Sequence, residues 1–324
     1  MTPCARLVAL LGGLLGTALL GACGKYRDFT LPEQAGGPSV NWRWQARTEP
    51  VMTRGAPGDW DAVDVLNPSV IRQGDAYYNF FSGYDGKTWH TGLAVSADGI
   101  TWHKEGRILS DAGNGSAISD DSGILYYYQA GDPVEIGLAR SRNSHQWTRN
   151  ETPVLTVGPY GSWDERGVAD PYLIRAGQNY YMFYLGMDRA ARQRLGVAIS
   201  RDGVSWYKLR SNPILELGEY GAFDSNGLGE PAVWTARGYY WMLYTGRDRD
   251  ELRRLGLARS RDGVRWEKLW TTIGGGEDWD SLVMCDASVI AKGDRVTVWF
   301  GGGDVAHPDQ NIHGQIGMGT LTAQ

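Results

Sequence analysis

The sequence predicts an all-β fold, and its composition together with a recurring phrase leads to that prediction. The 324 residues include 45 Gly, 14 Trp and 17 Tyr, which is typical of short strands joined by tight turns. The phrase LAVSADGITWHK at 93–104 recurs at 197–208 and 257–268, with a weaker copy at 138–149. The tryptophans of the four copies are spaced by 45, 59 and 60 residues, a period that indicates the four-stranded blades of a β-propeller.

Each repeat can be parsed into four strands. An apolar inner strand such as PYLIR is followed by a Gly-containing turn, an aromatic strand such as NYYMFYLG, a third strand such as LGVAIS, and an outer strand that opens on Trp. The Asp-Gly pairs at 98–99, 202–203 and 262–263 supply the positive φ that a tight turn between strands requires. We therefore interpret these aspartates as structural.

The last repeat contains only three strands before the chain ends. The segment WQARTEPV at 44–51 matches WTRNETPV at 147–154, so we expect an N-terminal strand to complete the last blade and cover its free edge. The sequence therefore predicts a five-bladed β-propeller over residues 40–324, with the last blade closed by an N-terminal strand.

The N-terminus resembles an export signal. Arg6 precedes an apolar run from Leu7 to Ala22, which is shorter than the ~20 residues of a spanning helix. LGAC at 20–23 resembles a bacterial lipoprotein cleavage box, the alternative being an ordinary signal peptide. We expect a signal peptide at 1–22, lipidation of Cys23, a tether at 23–39, and a membrane anchor in the bacterial cell envelope, facing the periplasm or the cell surface.

Charge and cysteine content exclude some classes of partner and stabilisation. The formal net charge is −5 with both signs interspersed, which argues against nucleic acid as a partner. After processing, Cys285 remains as the last of three cysteines, so no intramolecular disulfide forms. We interpret Cys285 as a small buried hydrophobe, and we expect a monomer.

Four repeats share an aromatic-Asp pair that is followed, six positions after the Asp, by a variable polar residue. The shared aspartates are Asp61, Asp164, Asp224 and Asp280, and the variable position holds Asn67, Asp170, Glu230 and Asp286. Residues that are identical in every copy suit a structural role. The variable residues begin the inner strands, so their side chains are expected to converge at the mouth of the central channel. The second blade, around NGSAISDDSGIL, lacks the pattern.

Converging carboxylates suggest acid and base chemistry. Carboxylates in a partly dehydrated funnel repel one another, so one keeps its proton while another stays ionised. A glycosidase needs that division, because one group protonates the leaving oxygen while another activates water or attacks the sugar. The alternative is that these acids only bind a cation or water.

The sequence resembles the five-bladed propeller glycoside hydrolases of families 43, 32 and 68 in three features. These are the repeats, the pair Asp170-Pro171 and the triplet Gly229-Glu230-Pro231. The resemblance implies that Glu230 is the general acid and that Asp170 tunes its pKa and orients substrate. In the family, the first blade has an Asp-Pro pair whose Asp is the base or nucleophile. This chain has Asn67-Pro68 there, and an amide cannot act as a general base. Asp64 is the nearest candidate for that role.

The Asn-Pro pair also resembles the family 130 mannoside phosphorylases and hydrolases, in which phosphate can replace the base.

Substrate-binding candidates in loops expected at the same face are Trp89, His90, Arg247 and Asp248, in addition to Asn67 and Asp286. No metal or cofactor is predicted, with calcium in the central channel near His313 as an alternative.

The resulting functional prediction is an exported glycoside hydrolase that acts on an oligosaccharide or polysaccharide by carboxylate acid/base catalysis. The alternatives are a noncatalytic carbohydrate-binding propeller, a mannoside-type phosphorylase, and a propeller that binds other proteins.

Overall fold

A computed structural model describes residues 25–276 and 278–324. The predicted signal peptide and Cys23 lie outside the described residues. Within them the chain forms twenty-two strands and one short 3-10 helix, Asp278–Asp280, so the predicted all-β fold is confirmed. No helix in this part of the chain has the length and apolar character needed to cross a membrane.

Most strands follow one another as antiparallel meanders, which we call units 1 to 5. Unit 1 contains β3 (Asp64–Leu66), β4 (Val70–Gln73), β5 (Ala76–Tyr84), β6 (Trp89–Ser96) and β7 (His103–Leu109). Unit 2 contains β8 (Gly113–Asp120), β9 (Gly123–Ala130), β10 (Glu135–Ser141) and β11 (Thr148–Arg149). Unit 3 contains β12 (Gly167–Ala176), β13 (Asn179–Met187), β14 (Gln193–Ser200) and β15 (Tyr207–Leu209).

The remaining strands belong to units 4 and 5 and to the N-terminal segment. Unit 4 contains β16 (Gly227–Ala236), β17 (Tyr239–Arg247), β18 (Arg253–Ser260) and β19 (Glu267–Ile273). Unit 5 contains β20 (Val283–Lys292), β21 (Arg295–Gly303) and β22 (Gln315–Ala323). The N-terminal strands are β1 (Tyr26–Arg27) and β2 (Trp42–Ala46). A single parallel pair, Arg253 with Val283, joins units 4 and 5 into one eight-stranded sheet, so the described strands form four sheets.

The N-terminal strand β2 completes unit 5, as the sequence predicted. It pairs antiparallel with β22, from Trp42 opposite Ala323 to Ala46 opposite Gly319, and begins two residues before the expected Trp44. Trp42 also packs edge-on against Trp241 of unit 4, with ring centroids 5.4 Å apart. The first and last parts of the described chain therefore share one hydrogen-bonded unit.

The segment expected as a tether contacts units 3 and 4. β1 pairs in parallel with Lys208 and Leu209 of β15. Leu31 is only 1% exposed and donates its N–H to the carbonyl of Asp262 at 2.8 Å. The 23–39 boundary itself stays a prediction.

The repeated tryptophans connect neighbouring units. Each packs against an aromatic ring in the long strand of another unit, and the pairs are Trp147 with Phe80 of β5, Trp206 with Tyr127 of β9, Trp266 with Phe183 of β13, and Trp102 with Trp299 of β21. The last pair joins unit 1 to unit 5. The period seen in the sequence therefore reflects a repeated contact between units, at centroid distances of 5.6 to 6.4 Å.

The Asp-Gly turns have the predicted structural role. Asp98 Oδ1 accepts the N–H groups of Ile100 and Thr101 at 2.8 Å, and Gly99 has a φ of 74°. These backbone hydrogen bonds lower the pKa of Asp98 to about 2, because they stabilise its charged form.

The identical aspartates pair with the lysine that ends each full copy of the repeated phrase. Lys104 lies 2.5 Å from Asp61, Lys208 lies 2.5 Å from Asp164, and Lys268 lies 2.6 Å from Asp224. Each pair ties the outer strand of a unit to the loop that precedes its inner strand, which confirms the structural interpretation of these three acids.

We expect Lys208→Met to lower the free energy of unfolding by about 3 kcal/mol, because it leaves the buried Asp164 carboxylate without its cation. The Lys208 side chain is 5% exposed, whereas that of Lys104 is 29% exposed. Lys104→Met is therefore the matched control and should cost less. Urea unfolding measures the free energy of unfolding of both variants. Equal losses of stability would contradict the greater structural contribution of the more deeply buried Lys208–Asp164 pair.

Candidate functional site

One residue at each inner-strand start has a left-handed backbone. These slot residues are Asn67, Asn114, Asp170, Glu230 and Asp286, with φ of 49°, 44°, 48°, 52° and 55°. In units 2 to 5 the strand pairing shifts register at this point, and Asn67 lies between β3 and β4. A bulge re-aims a side chain, and a left-handed backbone costs energy in a residue other than Gly. Its repetition indicates that the fold directs these side chains to one place.

The slot residues are linked by hydrogen bonds that run from unit to unit. Glu230 N–H donates to Asp170 Oδ2 at 3.3 Å, Asp286 N–H donates to Glu230 Oε2 at 3.1 Å, and Asn67 N–H donates to Asp286 Oδ2 at 3.3 Å. Gly229 allows this close approach, since a Cβ there would lie 3.0 Å from Asp170 Oδ2. Units 3, 4, 5 and 1 are thus connected through side chains of the site.

All five slot residues line one cavity of about 540 Å³. The strand-connecting loops contribute further polar groups, among which are Gln193, Arg247 and Arg253. Arg247 donates to Gln193 Oε1 at 3.0 Å and to Glu251 Oε2 at 2.8 Å. The expected convergence of Asn67, Asp170, Glu230 and Asp286 is therefore present in the described structure.

The carboxylates of the cavity strongly affect one another. Burial and the negative charge of Glu230 raise the pKa of Asp170 from 3.8 to about 7. Burial and the same Glu230 charge raise the pKa of Asp286 well above its ordinary value. Asp170 and Asp286 are 9% and 5% exposed, and Glu230 is partly exposed. The cluster therefore retains protons near neutral pH, which allows it to act as a proton donor.

Arg253, which the sequence analysis missed, lies beside this cluster. It is 6% exposed and donates to the carbonyls of His307, at 2.8 Å, and Pro308. Pro308, Asp309 and Gln310 line the cavity, so Arg253 holds one end of a loop that borders it. No local sequence pattern indicates this role, because the contact joins positions more than fifty residues apart.

Asp64, the candidate base, does not lie in the cavity. It is fully buried, and its carboxylate accepts the N–H groups of Asn311, Ile312 and Gly314 at 2.6, 3.2 and 2.7 Å. Its side chain thus holds residues 311–314. Arg253 holds the other end of the same loop, at residues 307 and 308. The geometry assigns Asp64 to the support of this loop and offers no path from its carboxylate to a substrate.

Asp64→Asn is expected to reduce the free energy of unfolding by about 1–3 kcal/mol, because an amide oxygen and nitrogen cannot accept all three buried N–H groups. Any loss of the glycosidic cleavage that the sequence predicts should stay below the roughly 100-fold minimum typical of a lost general base. Thermal melting and steady-state kinetics on one preparation separate the two effects. Unchanged melting with a larger loss of rate would restore Asp64 as the base.

The other predicted binding residues divide into two groups. Trp89 and Arg247 line the cavity, and Trp89 stacks on Tyr84 at 4.9 Å. His90 is 4% exposed, packs edge-on against Trp60 and lies 3.5 Å from Asp85, away from the cavity lining. Asp248 accepts the N–H groups of Asp250 and Leu252, so it shapes its own loop.

The described residues contain one cluster that could hold a metal ion. Glu230, Cys285 and Asp286 each offer a ligand atom, and these atoms lie within 4.8 Å of one another. A thiol is a poor calcium ligand, so this trio does not fit the calcium alternative. His313, the other candidate ligand, is exposed and contacts Asp304 at 2.8 Å. Cys285 is buried, as predicted.

Asn114 is the slot residue that the sequence analysis missed. Its Nδ2 donates to Asp170 Oδ1 at 3.4 Å, and its own N–H donates to Ser82 Oγ at 2.8 Å. The aromatic-Asp pair that marked the other slots is absent from unit 2. A usable signal was the tripeptide Asn114-Gly-Ser, which parallels Asn67-Pro-Ser and Asp286-Ala-Ser.

Comparison with known families agrees with this geometry. The sequence model of the glycosyl hydrolases family 32 N-terminal domain matches residues 114–286, which is 173 of the 324 residues. The chain belongs to this family. The match begins and ends on slot residues, Asn114 and Asp286, so the family 32 segment contains both Asp170 and Glu230.

Two curated relatives match part of this family 32 chain. Uncharacterized protein MT1551 of Mycobacterium tuberculosis is 30% identical over 158 residues, or 46% of this chain and 52% of its own length. A 1,2-beta-oligomannan phosphorylase of Thermoanaerobacter sp. is 26% identical over 129 residues, or 37% of this chain and 42% of its own length. The chain thus spans about half the length of the curated relatives it matches.

Solved structures share the fold over most of the chain. A glycoside hydrolase superimposes with a TM-score of 0.67 at 18% identity, covering 90% of this chain and 92% of that one. A beta-1,2-mannobiose phosphorylase from Listeria innocua superimposes with a TM-score of 0.69 at 11% identity, covering 86% and 97%. At these identities the likeness shows the fold alone, which is that of propeller glycosidases and a mannoside phosphorylase.

Proposed function

We propose that this protein is a glycosidase whose active centre is the cavity at the slot residues. The observation that carries the proposal is the cluster of Asp170, Glu230 and Asp286 in one cavity, with the pKa of Asp170 raised to about 7. Cleavage of a glycosidic bond needs one protonated carboxyl group to donate to the leaving oxygen and one ionised carboxylate to take the proton of the attacking water or to attack the sugar itself, and environments that push the pKa values of neighbouring carboxyl groups apart supply both states. Membership of glycosyl hydrolase family 32 supports the same class of reaction.

Glu230 is the proposed general acid. It has the longest side chain of the three acids and is partly exposed, whereas Asp170 and Asp286 are buried. Asp170 accepts the Glu230 N–H, and Glu230 accepts the Asp286 N–H, so the two aspartates fix the backbone and the carboxylate of the acid. Asp170 is therefore proposed as the group that positions the acid and shares the retained proton of the pair with it.

Sugar hydroxyls are the proposed partners of two unsatisfied oxygens in the cavity. Among the described residues, Asn67 Oδ1 and Asp286 Oδ1 are buried and have no hydrogen-bond partner. A buried acceptor without a donor is costly, and a substrate hydroxyl is a suitable donor. Arg247, already oriented by Gln193 and Glu251, can donate to further substrate oxygens.

A phosphorylase is the second candidate, because unit 1 supplies no carboxylate to the cavity. Asn67 occupies the unit 1 slot, and Asp64 is committed to the 311–314 loop. With no base from unit 1, phosphate could attack the sugar, and Arg247 and Arg253 line the cavity that would receive it. A matched relative is a 1,2-beta-oligomannan phosphorylase, which supports this reading.

The architecture and cellular setting belong to the same proposal. We propose that units 1 to 5 are the blades of a five-bladed propeller closed by β2, that lipidated Cys23 anchors the chain in the bacterial envelope, and that catalysis requires no metal. Mass spectrometry of the membrane fraction tests the anchor. A diacylglyceryl mass on a peptide beginning at residue 23 is expected, and an unmodified peptide there would contradict it.

Product analysis on a panel of oligosaccharides and polysaccharides, with and without inorganic phosphate, tests the function. The glycosidase proposal predicts free reducing sugar at equal rates in both conditions. Sugar 1-phosphate that appears only with added phosphate would favour the phosphorylase. Binding without any cleavage by the wild type would favour a noncatalytic carbohydrate-binding protein.

A further inference from the structure

Two tyrosines stand out on the surface because they are large, aromatic and almost fully exposed. Tyr160 is 82% exposed and Tyr220 is 84% exposed. Among the large hydrophobic residues of the described part of the chain, the remaining exposed one is Val204, at 36%. Singly exposed apolar residues are normal, but these two tyrosines occupy equivalent positions in two repeats and each contacts an arginine.

Each tyrosine is covered on one face by an arginine from the neighbouring loop. The Arg189 guanidinium lies 4.0 Å from the Tyr160 ring centroid, and that of Arg249 lies 4.6 Å from the Tyr220 centroid. Arg189 also donates to the Tyr160 hydroxyl at 2.7 Å. A ring held by a cation on one face leaves its other face open for a ligand.

The first pair is further braced by Glu165. Arg189 contacts Glu165 through two nitrogens, each at 3.3 Å, and Glu165 accepts the Gly161 N–H at 2.8 Å. These contacts fix both the arginine and the loop that carries Tyr160, which lowers the entropy cost of binding. Ser225 stands at the corresponding place near Tyr220, so the second pair lacks this brace.

The tyrosine and the arginine occur together and are absent together. Relative to the slot residues Asp170 and Glu230, the tyrosine lies ten positions before and the arginine nineteen positions after. The same offsets from Asn67 give Pro57 and Gly86 in unit 1. From Asn114 they give Lys104 and Pro133, and from Asp286 they give Gly276 and Val305. The pair is therefore specific to the two units that supply Asp170 and Glu230.

The loops that carry the arginines also border the cavity. In unit 3, Met187, Ala191 and Gln193 line the cavity, while Arg189 and Arg192 of the same loop line a separate groove of about 570 Å³. In unit 4, Arg247 and Arg253 line the cavity on either side of Arg249 in the chain. The two arginines thus lie on loops that border the cavity, without being part of its lining.

We propose that Tyr160 and Tyr220, each with its arginine, bind sugar rings of a carbohydrate chain outside the cavity. This inference rests on the proposed function and extends it to a polymeric substrate. A flat aromatic ring matches the C–H face of a sugar, and the adjacent guanidinium can donate to its hydroxyls. A membrane surface fits less well, because Gly, Pro and Ser flank Tyr160 and Glu and Gly flank Tyr220, which leaves no contiguous apolar patch.

Affinity electrophoresis tests the proposal with native gels that contain yeast mannan, levan, arabinan, xylan or polygalacturonate. The full chain carries Glu230→Gln in every sample, so the polysaccharide is not degraded. We expect at least one polysaccharide to retard this parent, and Tyr160→Ala with Tyr220→Ala to weaken binding about tenfold or more. Tyr160→Phe with Tyr220→Phe should restore binding, because the ring face is kept.

The control is Tyr239→Ala. Tyr239 also lies under an arginine, with Arg259 5.1 Å from its ring centroid, but it begins β17 directly after the turn from β16 and does not line the cavity. It should bind as the parent does. Unchanged binding by the double alanine variant, or retardation of the parent by none of the polysaccharides, would overturn the proposal. So would tyrosine-dependent binding to phosphatidylglycerol vesicles without binding to any glycan. Failure of the wild type to cleave glycosides would contradict the proposed function and leave this binding result intact.

Discussion

Glu230→Gln is expected to reduce the rate of glycosidic bond cleavage by about 1,000-fold, within the range for loss of a general acid. The amide keeps the size of the side chain and can still accept the Asp286 N–H at the present 3.1 Å distance, but it has no proton to deliver at neutral pH. The loss should fall on kcat more than on KM, because the substrate contacts of the cavity remain.

The matched control is Glu219→Gln in the exposed loop before β16, which should retain full activity. A substrate with a good leaving group sharpens the result, since such a bond depends less on protonation and should lose less rate in Glu230→Gln. Equal losses on good and poor leaving groups would contradict the assignment of Glu230 as the acid.

Asp170→Asn is expected to lower kcat by about 100-fold and, at the same time, to stabilise the protein above neutral pH. The activity falls because the proton-retaining partner of Glu230 is lost. The stability rises because a neutral amide avoids the cost of ionising this buried carboxyl. Burial of Asp170 and the nearby charge of Glu230 raise its pKa to about 7. Such opposed effects are typical of functional sites.

The sign of the pH dependence follows from the direction of the shift. The pKa of Asp170 is 3.8 when unperturbed and about 7 in the folded chain, so the folded state binds the extra proton between these values. The free energy of unfolding therefore falls as pH rises from about 4 to about 7, by up to about 4 kcal/mol. Asp170→Asn removes that fall.

Urea unfolding of wild type and Asp170→Asn at pH 4, 6 and 8 measures this effect. The stability advantage of the variant should be small at pH 4 and largest at pH 8. Asp250→Asn, at an exposed position of the 246–256 loop, serves as control and should show no such trend. An Asp170→Asn difference that is independent of pH would contradict a raised pKa.

Local patterns were sufficient to predict the strands and most of the slot residues. The Asp-Gly turn and the tryptophan that follows it, such as Asp98-Gly99 and Trp102, lie within one short phrase. That phrase recurs along the chain, so both features are visible in the sequence. Asp170 and Glu230 were predicted because they lie sixty residues apart at the same position of two similar repeats. Asp286 and Asn67 followed from the same alignment.

The errors concern contacts between distant parts of the chain. The sequence indicates Asp64 as a candidate base because it is three residues from Asn67, but its partners, the N–H groups of Asn311, Ile312 and Gly314, are about 250 residues away. His90 follows Trp89 in β6, and successive strand residues face opposite sides, so only Trp89 lines the cavity. Arg253 is buried by tertiary contacts with His307 and Pro308, which no spacing indicates.

The proposed chemistry depends on Asp170 remaining protonated in a shared cavity with Glu230. Carbon-13 NMR of the side-chain carboxyl groups, with the Asp170 signal assigned by its absence from Asp170→Asn, measures this directly. The Asp170 signal is expected to titrate with a midpoint near 7, as its pKa of about 7 requires. A midpoint near the unperturbed 3.8 would mean that Asp170 and Glu230 do not form a proton-retaining site, and it would rule out the proposed acid chemistry of the cavity.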